Sequence, residues 1–442
     1  MTWFNWAPWR RLVKERKGAV AVVFALSLLP ICLAGGAAID MGRAYLVKSR
    51  LGYALDAAGL AAGGATELSD DELEELMLSY FEANYPVEEL GVAAEPEMEI
   101  SDEEVRLSAS ATLDTTLMNV IGIHDITVTA TTVIIRESKG LEVALVLDNT
   151  GSMGTTKMNN LKSAAHSFLD ILFGANAESD LLYISVVPFA GTVNVDTGFG
   201  HLNSDYDAAD FAPDIWRGCV MAREDGEDQT DAAPTNDDTR WEAYLRPSGS
   251  GNWWPPISGS YGQRKGPNKD CPRPVLPLTN VKSTVESKID SMESRGITHI
   301  NFGLVWGWRT LSNTEPFTTA TEYDNDEFEK AIVLMTDGEN YIGTSSYGAY
   351  GRIADGNLGT TSSSSTAIAQ LNLRTAAVCN AVKAQDIIVY TITFQVSSST
   401  VRNLMRNCAT DESNYFDSPD AATLEASFRE IGRELSNLRI GG

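Results

Sequence analysis

From residue 140 onward, short apolar runs alternate with segments in which apolar residues recur at helical spacing. Residues 141–147 and 331–335 are almost wholly apolar, which is the pattern of strands buried on both faces of a sheet. Residues 158–173 follow the first run with helical periodicity. This alternation predicts an α/β domain over residues 140–442 with a mostly parallel central sheet. Its remaining strands and helices are expected at 181–189, 275–278, 281–294, 300–311, 367–384, 387–394, 398–407 and 421–438.

A smaller α+β module is predicted before this domain, at residues 40–139. Residues 43–62 keep a helical pattern without proline, so the preceding apolar helix either extends outward or is followed by a second helix. Residues 68–84 place apolar residues on one face of an acidic helix. Apolar and polar residues then alternate, as in the strands of a small sheet, at 97–100, 105–113 and 126–135.

Residues 18–39 carry no charged side chain and are long enough to span a bilayer as a helix. Residues 1–17 are basic, which predicts that this end stays in the cytoplasm and that residue 40 onward is exported. A cleaved signal peptide is the alternative, because the small residues at 34–38 suit a peptidase. The apolar cores of signal peptides are usually shorter, about 7–15 residues, so we favour an uncleaved single-pass anchor.

The charge of the chain limits its partners. It has 34 Lys and Arg against 60 Asp and Glu, a formal charge of −26. A surplus of acid repels phosphate groups, which argues against nucleic acid and anionic membrane surfaces as partners. Hydrophobic residues make up 43% of the chain, as in folded rather than disordered proteins.

The cysteines are compatible with an exported domain. Cys32 lies in the apolar run, and the other four permit three pairings. We expect bonds between Cys219 and Cys271 and between Cys379 and Cys408, because each pair brackets one local segment. Metal binding is the competing use of these cysteines, but no C-x-x-C spacing supports it.

Oxygen-bearing side chains follow the two apolar strands where each strand ends. Asp148, Thr150 and Ser152 alternate in a turn after the first strand, and Asp337 follows the second. Thr298 lies in a loop before another helix. Ligands of open α/β sheets bind at the carboxyl ends of strands, and hard oxygen donors suit Mg²⁺, Mn²⁺ or Ca²⁺. The same residue types occur in ordinary strand-to-helix turns and N-caps, so the first turn alone leaves that interpretation open.

Three segments together resemble the von Willebrand factor type A (vWA) domain and its metal-ion-dependent adhesion site (MIDAS). They are Asp148-x-Thr150-x-Ser152, Gly296-x-Thr298 with Gly303-Leu304, and Thr336-Asp337-Gly338. The resemblance implies a Rossmann-like fold and a bound divalent cation, Mg²⁺ before Mn²⁺ or Ca²⁺. It implies direct ligation by Thr150, Ser152 and Thr298, with Asp148 and Asp337 in outer positions. Thr150 replaces the Ser usual in that motif but keeps the oxygen, and a metal-free vWA domain is the alternative.

The start of the chain resembles the TadE/TadG group of Flp pilus-assembly proteins, TadG-like members in particular. The likeness is carried by residues 17–26 and Asp40-x-Gly42, together with 149–153. Val23 stands where processed pilins carry Glu, which puts prepilin processing at Gly18 in doubt. The resemblance implies a bacterial inner-membrane protein with a periplasmic body, whose partners are pilus or envelope assembly components.

These residues favour a protein that is not an enzyme. The expected function is binding of a divalent cation and of an acidic residue on a protein partner, in Tad pilus assembly, anchoring or adhesion. A metal-independent structural coupling protein and a metal-dependent hydrolase are the alternatives. The hydrolase would need a base to activate water, and the four histidines form no recognisable set. His299, beside Thr298, is expected to be a surface or cap residue.

Two long connections complete the expectations. Residues 191–274 form an insertion that is either a disulfide-held surface excursion or a partner-binding segment. In the coupling hypothesis this insertion is the contact surface, through Trp216, Trp241, Trp253 and Trp254. Residues 341–366 are rich in Ser and Gly, which predicts a loose connection near the upper rim of the site, with gating of that site as the alternative.

Overall fold

The computed structural model describes residues 16–63, 70–85, 92–94, 96–100, 104–135, 139–212, 214–249, 252, 254 and 265–440. The chain divides into two compact units, Met1–Glu137 and Ser138–Gly442. Residues 1–15 of the predicted basic segment 1–17 and the predicted contact residue Trp253 lie outside the described residues.

The first unit is organised on one long helix, α1 (Arg16–Gly63), which is continuous over 48 residues and includes Pro30. It covers both the predicted span and residues 43–62, so the second pattern extends the first helix. At 1.5 Å per residue such a helix is about 72 Å long. Over Val20–Ala62 it is long and apolar enough to cross a membrane.

Helix α2 and a small antiparallel sheet pack against α1. The elements are α2 (Asp70–Asn84), β1 (Val92–Ala93), β2 (Glu97–Ile100), β3 (Glu104–Asp114) and β4 (Asp125–Ile135). Strand β3 pairs with β1 and β2 along one edge and with β4 along the other. Alternate residues of β3 face the core, as the sequence pattern predicts: Val105, Leu107, Ala109, Ala111 and Leu113.

Asp40 ties α1 to the connection between β3 and β4. Its buried carboxylate accepts hydrogen bonds from the backbone N–H groups of Thr116 (3.0 Å), Leu117 (2.8 Å) and Met118 (2.7 Å). Arg43 lies 3.7 Å from the same carboxylate. A buried charge is stable only when it is hydrogen-bonded or paired, so these donors explain how an acid is tolerated directly after the apolar run.

The second unit has a central sheet. Its strands are β5 (Gly140–Asp148), β6 (Leu182–Phe189), β7 (Val193–Asn194), β8 (Cys219–Val220), β9 (Leu276–Thr279), β10 (Phe328–Thr336), β11 (Ile388–Phe394) and β12 (Tyr415–Ser418). Their order is β12-β11-β10-β5-β6-β7-β8, with β9 also paired to β6. The five strands from β12 to β6 run parallel, whereas β7 and β9 pair antiparallel with β6, and β8 pairs antiparallel with β7. The mixed, mostly parallel sheet is the predicted architecture.

Helices cover both faces of this sheet. They are α3 (Gly154–Phe173), α4 (Lys282–Ser291), α5 (Ile300–Thr310), α6 (Ser364–Lys383), α7 (Ser399–Cys408) and α8 (Ala421–Ile440). Strand β5 is apolar on both sides: its odd-numbered residues from Leu141 to Leu147 pack with α3, α4 and α8, whereas Ala144 and Val146 pack with α5, α6 and α7. A Cβ at Gly303 would lie 2.4 Å from Phe189, so glycine lets α5 approach β6.

The two long connections contribute to the core rather than lying outside it. Within the insertion, β7 and β8 extend the sheet, and Trp241 is buried with its ring 5.2 Å from that of Trp306. Trp216 is buried too, so the prediction that these tryptophans form a contact surface is wrong for both. The prediction of a loose connection at 341–366 is also wrong, because it buries four large apolar residues: Ile342, Tyr350, Ile353 and Leu358.

Both predicted disulfides are present. Cys219 is bonded to Cys271, and Cys379 to Cys408. The first bond starts at β8 and joins two parts of the insertion, and the second joins α6 to α7. Cys32 is a free, exposed thiol.

A buried ion pair lies near the start of the two central strands, which are otherwise apolar. Glu142 and Lys330 face each other in register on β5 and β10, and the ammonium of Lys330 donates to the Glu142 carboxylate. Lys330 also donates to the carbonyls of Leu311 (3.1 Å) and Thr321 (2.8 Å). Burial lowers the pKa of Lys330, because the charged form is poorly solvated there.

We predict that Glu142→Leu lowers the free energy of unfolding by about 3–5 kcal/mol, because it leaves the Lys330 ammonium buried without its counter-charge. Urea unfolding of the second unit measures the loss. The double variant Glu142→Leu/Lys330→Met is the matched control, and it should recover part of the stability because no buried charge remains. A single variant as stable as the original chain would contradict this account.

Candidate cation site

The predicted site lies where the direction of strand order changes. Strand β5 is followed in sequence by β6 on one side, whereas β10 lies on its other side, with Leu147 opposite Met335. Two neighbouring parallel strands therefore end together, and their connections leave in opposite directions. Such a switch point forms a crevice at the carboxyl edge, where open α/β sheets bind ligands. Asp148 is the last residue of β5, and Asp337 follows β10 directly.

Asp148 is held from both strands. It is fully buried, and its Oδ1 accepts a hydrogen bond of 2.7 Å from the backbone N–H of Thr150. Its Oδ2 accepts one of 2.8 Å from the hydroxyl of Thr336, the last residue of β10. One bond therefore comes from the turn after β5 and the other from the end of β10, so the carboxylate is held between the two strand ends.

The two hydroxyls of the first turn connect this carboxylate region to Asp337. Thr150 Oγ1 and Ser152 Oγ are 2.8 Å apart, and Ser152 Oγ donates to Asp337 Oδ1 at 2.6 Å. The other oxygen, Asp337 Oδ2, accepts a bond of 2.7 Å from the ammonium of Lys157. The Asp337 side chain is fully buried, whereas that of Lys157 is 25% exposed. Four of the five predicted residues are thus brought into one continuous set of contacts.

Thr298 is placed in the loop that borders this set. The loop is tied to the first turn by hydrogen bonds from Gly151 N–H to the Gly296 carbonyl (3.0 Å) and from Ser294 Oγ to the Thr150 carbonyl (2.7 Å). Gly296 has a φ of +82°, which glycine adopts without strain. Thr298 is buried, and its carbonyl accepts from the Tyr341 N–H. In the described part of the chain, no hydrogen bond joins its hydroxyl to the other four residues.

The pKa of Asp148 reflects its burial and its closeness to a second carboxylate, that of Asp337. Burial and then the nearby charge of Asp337 raise the pKa of Asp148 to about 7, against the bonds from Thr150 and Thr336 that favour its ionised form. Lys157 supplies the one positive charge that contacts Asp337 among the described residues. The arrangement therefore favours a positive charge close to Asp337.

Three residues of the arrangement are not among the predicted ligands. They are Lys157 in the first turn of α3, the hydroxyl of Thr336, and Ser294 of the bordering loop. From the sequence, His299 is expected to be a surface or cap residue. It is fully buried, so the surface position is wrong. It does occupy the N-cap position of α5, but its side chain makes no capping hydrogen bond. Burial lowers the pKa of His299 to about 3, so the ring is neutral.

The donor set fits a hard cation. It consists of carboxylates and hydroxyls, the ligands that Mg²⁺, Mn²⁺ and Ca²⁺ prefer. Over the described ranges there is no cluster of three or more His, Cys, Asp or Glu side chains that could hold a metal. A cation at this edge would therefore depend on the hydroxyls of Thr150 and Ser152. The ammonium already held by Asp337 shows that this place stabilises a positive charge.

We predict that the cation-free second unit loses stability relative to an Asp148→Asn variant as the pH rises from 4 to 8. The raised pKa means that the folded state holds a proton that the unfolded chain has lost. The stabilising effect is complete below the unfolded pKa near 4 and is lost as the pH passes about 7. Urea unfolding with a chelator should reveal a relative change of about 4 kcal/mol.

The exposed Asp326→Asn is the control for that experiment. Its free energy of unfolding should follow the original chain at each pH, because its carboxylate is not buried. If the Asp148→Asn variant also followed the original chain across the whole range, the raised pKa would be wrong.

Comparison with known proteins identifies a family only for the start of the chain. Residues 18–65 match the model of the family described as "Putative Flp pilus-assembly TadE/G-like". The comparison with curated proteins gives no match.

Solved structures that match parts of the chain include the pilus adhesin SpaC of Lactobacillus rhamnosus GG, with 12% identity and a TM-score of 0.38 over 77% of this chain and 34% of that one. The vWF domain of the type V pili tip protein Mfa5 of Porphyromonas gingivalis has 12% identity and a TM-score of 0.38 over 69% of this chain and 97% of that one. Proximal thread matrix protein 1 of the mussel byssus, with a zinc-occupied MIDAS motif, has 13% identity and a TM-score of 0.34 over 68% of this chain and 48% of that one.

This chain thus spans about a third of the length of SpaC and about half of the mussel protein. At these identities and scores the likenesses do not identify a function, and the architecture rests on the strand order and connections described above. The chain therefore carries a TadE/G-like domain at residues 18–65, followed by a unit with the architecture of a vWA domain.

Proposed function

We propose that this chain is a membrane-anchored protein of a Tad-type pilus system whose vWA-like unit binds a divalent cation and, through it, a protein partner. The single observation that carries the cation proposal is the set of contacts from Thr150 through Ser152 to Asp337 at the switch point of the sheet. The ligands in this proposal are Thr150, Ser152 and Thr298, with Asp148 and Asp337 holding outer positions. Mg²⁺ is the preferred ion, and Mn²⁺ or Ca²⁺ are the alternatives.

The charge of the chain supports a cation-mediated contact. A bound ion with neutral hydroxyl ligands keeps much of its charge and accepts a carboxylate from a partner. The formal charge of −26 would otherwise repel an acidic surface. A local divalent charge therefore gives an acidic partner residue one place to bind, in the assembly, anchoring or adhesion of the pilus.

The anchoring proposal rests on α1 and on the family of residues 18–65. Residues 18–39 would span the inner membrane once, with residues 1–17 in the cytoplasm and residues 40–442 in the periplasm. The two disulfides support export, because such bonds persist in oxidising compartments. The proposed activity is binding rather than catalysis: the buried, neutral His299 beside Thr298 makes a poor base for a hydrolase.

A second candidate function is favoured by Lys157. Its ammonium already neutralises Asp337, so the unit can hold its fold at this edge without a metal ion. In this alternative the chain is a structural coupling protein of an envelope assembly, and partner binding does not depend on a cation. The two functions predict opposite outcomes for substitutions at the site.

We predict that calorimetric titration of Mg²⁺ into Ser138–Gly442 detects one binding site, which is lost in Asp148→Ala and in Thr298→Ala. Each variant removes an oxygen that the proposed coordination needs. The matched control is Thr284→Ala on α4, which removes an exposed hydroxyl and should leave the titration unchanged. Absence of binding of Mg²⁺, Mn²⁺ and Ca²⁺ to the original unit would favour the coupling function.

We predict that Lys157→Met strengthens Mg²⁺ binding by about tenfold, because it removes a positive charge in contact with a ligand carboxylate. Lys162→Met is the control, since Lys162 lies on the same helix but donates to the Asp290 carbonyl instead. The same titration measures both. Under the coupling function, Lys157→Met would instead lower stability, and added Mg²⁺ would not restore it.

A further inference from the structure

The β3–β4 connection, residues 115–124, exposes a group of apolar side chains. The group consists of Leu117, Val120, Ile121 and Ile123, of which Val120 is the most exposed, at 78%. Outside α1, the described residues of the first unit expose only two other large apolar side chains, those of Tyr80 and Val133. The connection contains no Asp, Glu, Lys or Arg, although these make up 21% of the chain. Single exposed apolar residues are ordinary, but a group of them without charges indicates a surface that contacts something apolar.

The connection is fixed beside the apolar run of α1. The Asp40 carboxylate binds three of its N–H groups, and the guanidinium of Arg43 donates to the Thr116 hydroxyl at 2.6 Å. Leu117 packs on α1 one turn earlier, since a Cβ at Gly36 would lie 2.7 Å from the Leu117 side chain. Along the helix axis, Gly36 is about 6 Å before Asp40 and thus inside the uncharged run. These contacts hold the connection at a level that falls within residues 18–39.

The length of the uncharged run limits where a bilayer can lie along it. Residues 18–39 belong to the continuous helix α1 and extend over about 33 Å, against a hydrocarbon core of about 30 Å. If these residues span the membrane, Gly36 lies at or inside the boundary between the head groups and the acyl chains. Leu117 lies at the same level, so the connection meets the membrane at this boundary.

The backbone of the connection suits a place where water is scarce. The N–H groups of Val120, Gly122 and Ile123 donate to carbonyls of the same connection at 3.0–3.3 Å. Gly122 has a φ of +90°, which glycine adopts without strain and which lets the chain turn back tightly. Together with the three N–H groups that bind Asp40, most of the N–H groups of the connection have partners inside the unit. A backbone without such partners is too costly to place next to acyl chains.

We propose that the β3–β4 connection inserts its apolar side chains into the membrane that α1 spans, at the boundary between head groups and acyl chains. The connection is then a second membrane contact of the first unit, at the depth of about 5–10 Å that is typical of interfacial segments. The contact comes from apolar burial and needs no anionic lipid, which suits a chain with a formal charge of −26. The inference rests on the proposed membrane anchoring, but it is independent of the cation site.

The test is fluorescence quenching of the full chain in nanodiscs of phosphatidylcholine, where iodide reaches both faces of the bilayer. Val120→Cys and its control Val133→Cys, each in a Cys32→Ser background, are labelled in detergent with nitrobenzoxadiazole before reconstitution. Val133 is an exposed valine beside Ile134, which contacts Gly59 about 35 Å further along α1 than Gly36. Lipids with nitroxide on the acyl chain should quench the label at Val120→Cys and not at Val133→Cys. Iodide should quench the label at Val120→Cys at least about fivefold less, because ions are excluded from the acyl region.

The free thiol of Cys32 tests the anchor by the same measurement. Labelled in the original chain, it should be quenched by the nitroxide lipids; if it is not, the anchoring proposal fails and the insertion fails with it. If Cys32 is quenched by lipid but Val120→Cys is as open to iodide as Val133→Cys, the anchor stands and the insertion is overturned. Shielding of Val120→Cys from both quenchers would mean that protein covers the connection, which also overturns the insertion.

A charge placed in the connection tests whether apolar burial holds it in the membrane. Ile121 is exposed in the unit, so Ile121→Glu should leave the fold intact. With the label at Ile123→Cys, Ile121→Glu should raise quenching by iodide at least about threefold, because a carboxylate stays in water. The matched control Ile121→Leu should leave the quenching unchanged. Equal quenching in the two variants would contradict the insertion.

Discussion

The parallel pairing of β5 with β10 is the constraint on which the candidate site depends. Apart from the ion pair of Glu142 and Lys330 near their start, both strands are apolar and buried on both faces, so the polar side chains of the site appear where the strands end. The register of Leu147 opposite Met335 makes these ends coincide, and Asp148 and Asp337 come to share one small polar region. The consequence is electrostatic: one acid has a raised pKa, and the other is held by Lys157.

This part of the site could be predicted from the sequence because a strand end is visible as the end of an apolar run. Asp148 and Asp337 follow the ends of two such runs, and the alternation of strands and helices predicts that these strands are parallel. The strand order and the register that bring the two acids together are visible only in the structure. Lys157 could not be predicted in the same way, since its contact depends on how the first turn of α3 is rotated towards Asp337. The sequence shows only that this turn contains one basic residue, and not which group that residue contacts.

The predictions that were wrong relied on local composition or, for His299, on its position beside the start of a helix. Residues 341–366 are rich in Ser and Gly, which describes the freedom of an isolated chain, but Ile342 and Tyr350 anchor that connection in the core. Trp241 belongs to an insertion, yet it is buried against Trp306 of α5, with the two rings tilted relative to each other. His299 is polar but buried beside Tyr350, with ring centroids 5.6 Å apart. In each case tertiary burial outweighs local preference, and a single sequence does not reveal which residues find such partners.

The carboxylate of Asp40 has a mechanical consequence. It binds three backbone N–H groups of the β3–β4 connection at the residue where the uncharged run ends. No flexible stalk therefore separates the apolar part of α1 from the folded module of the first unit. Any tilt or rotation of that apolar part turns the module with it as a lever, so a force applied to the module is carried directly into the membrane-spanning segment proposed above.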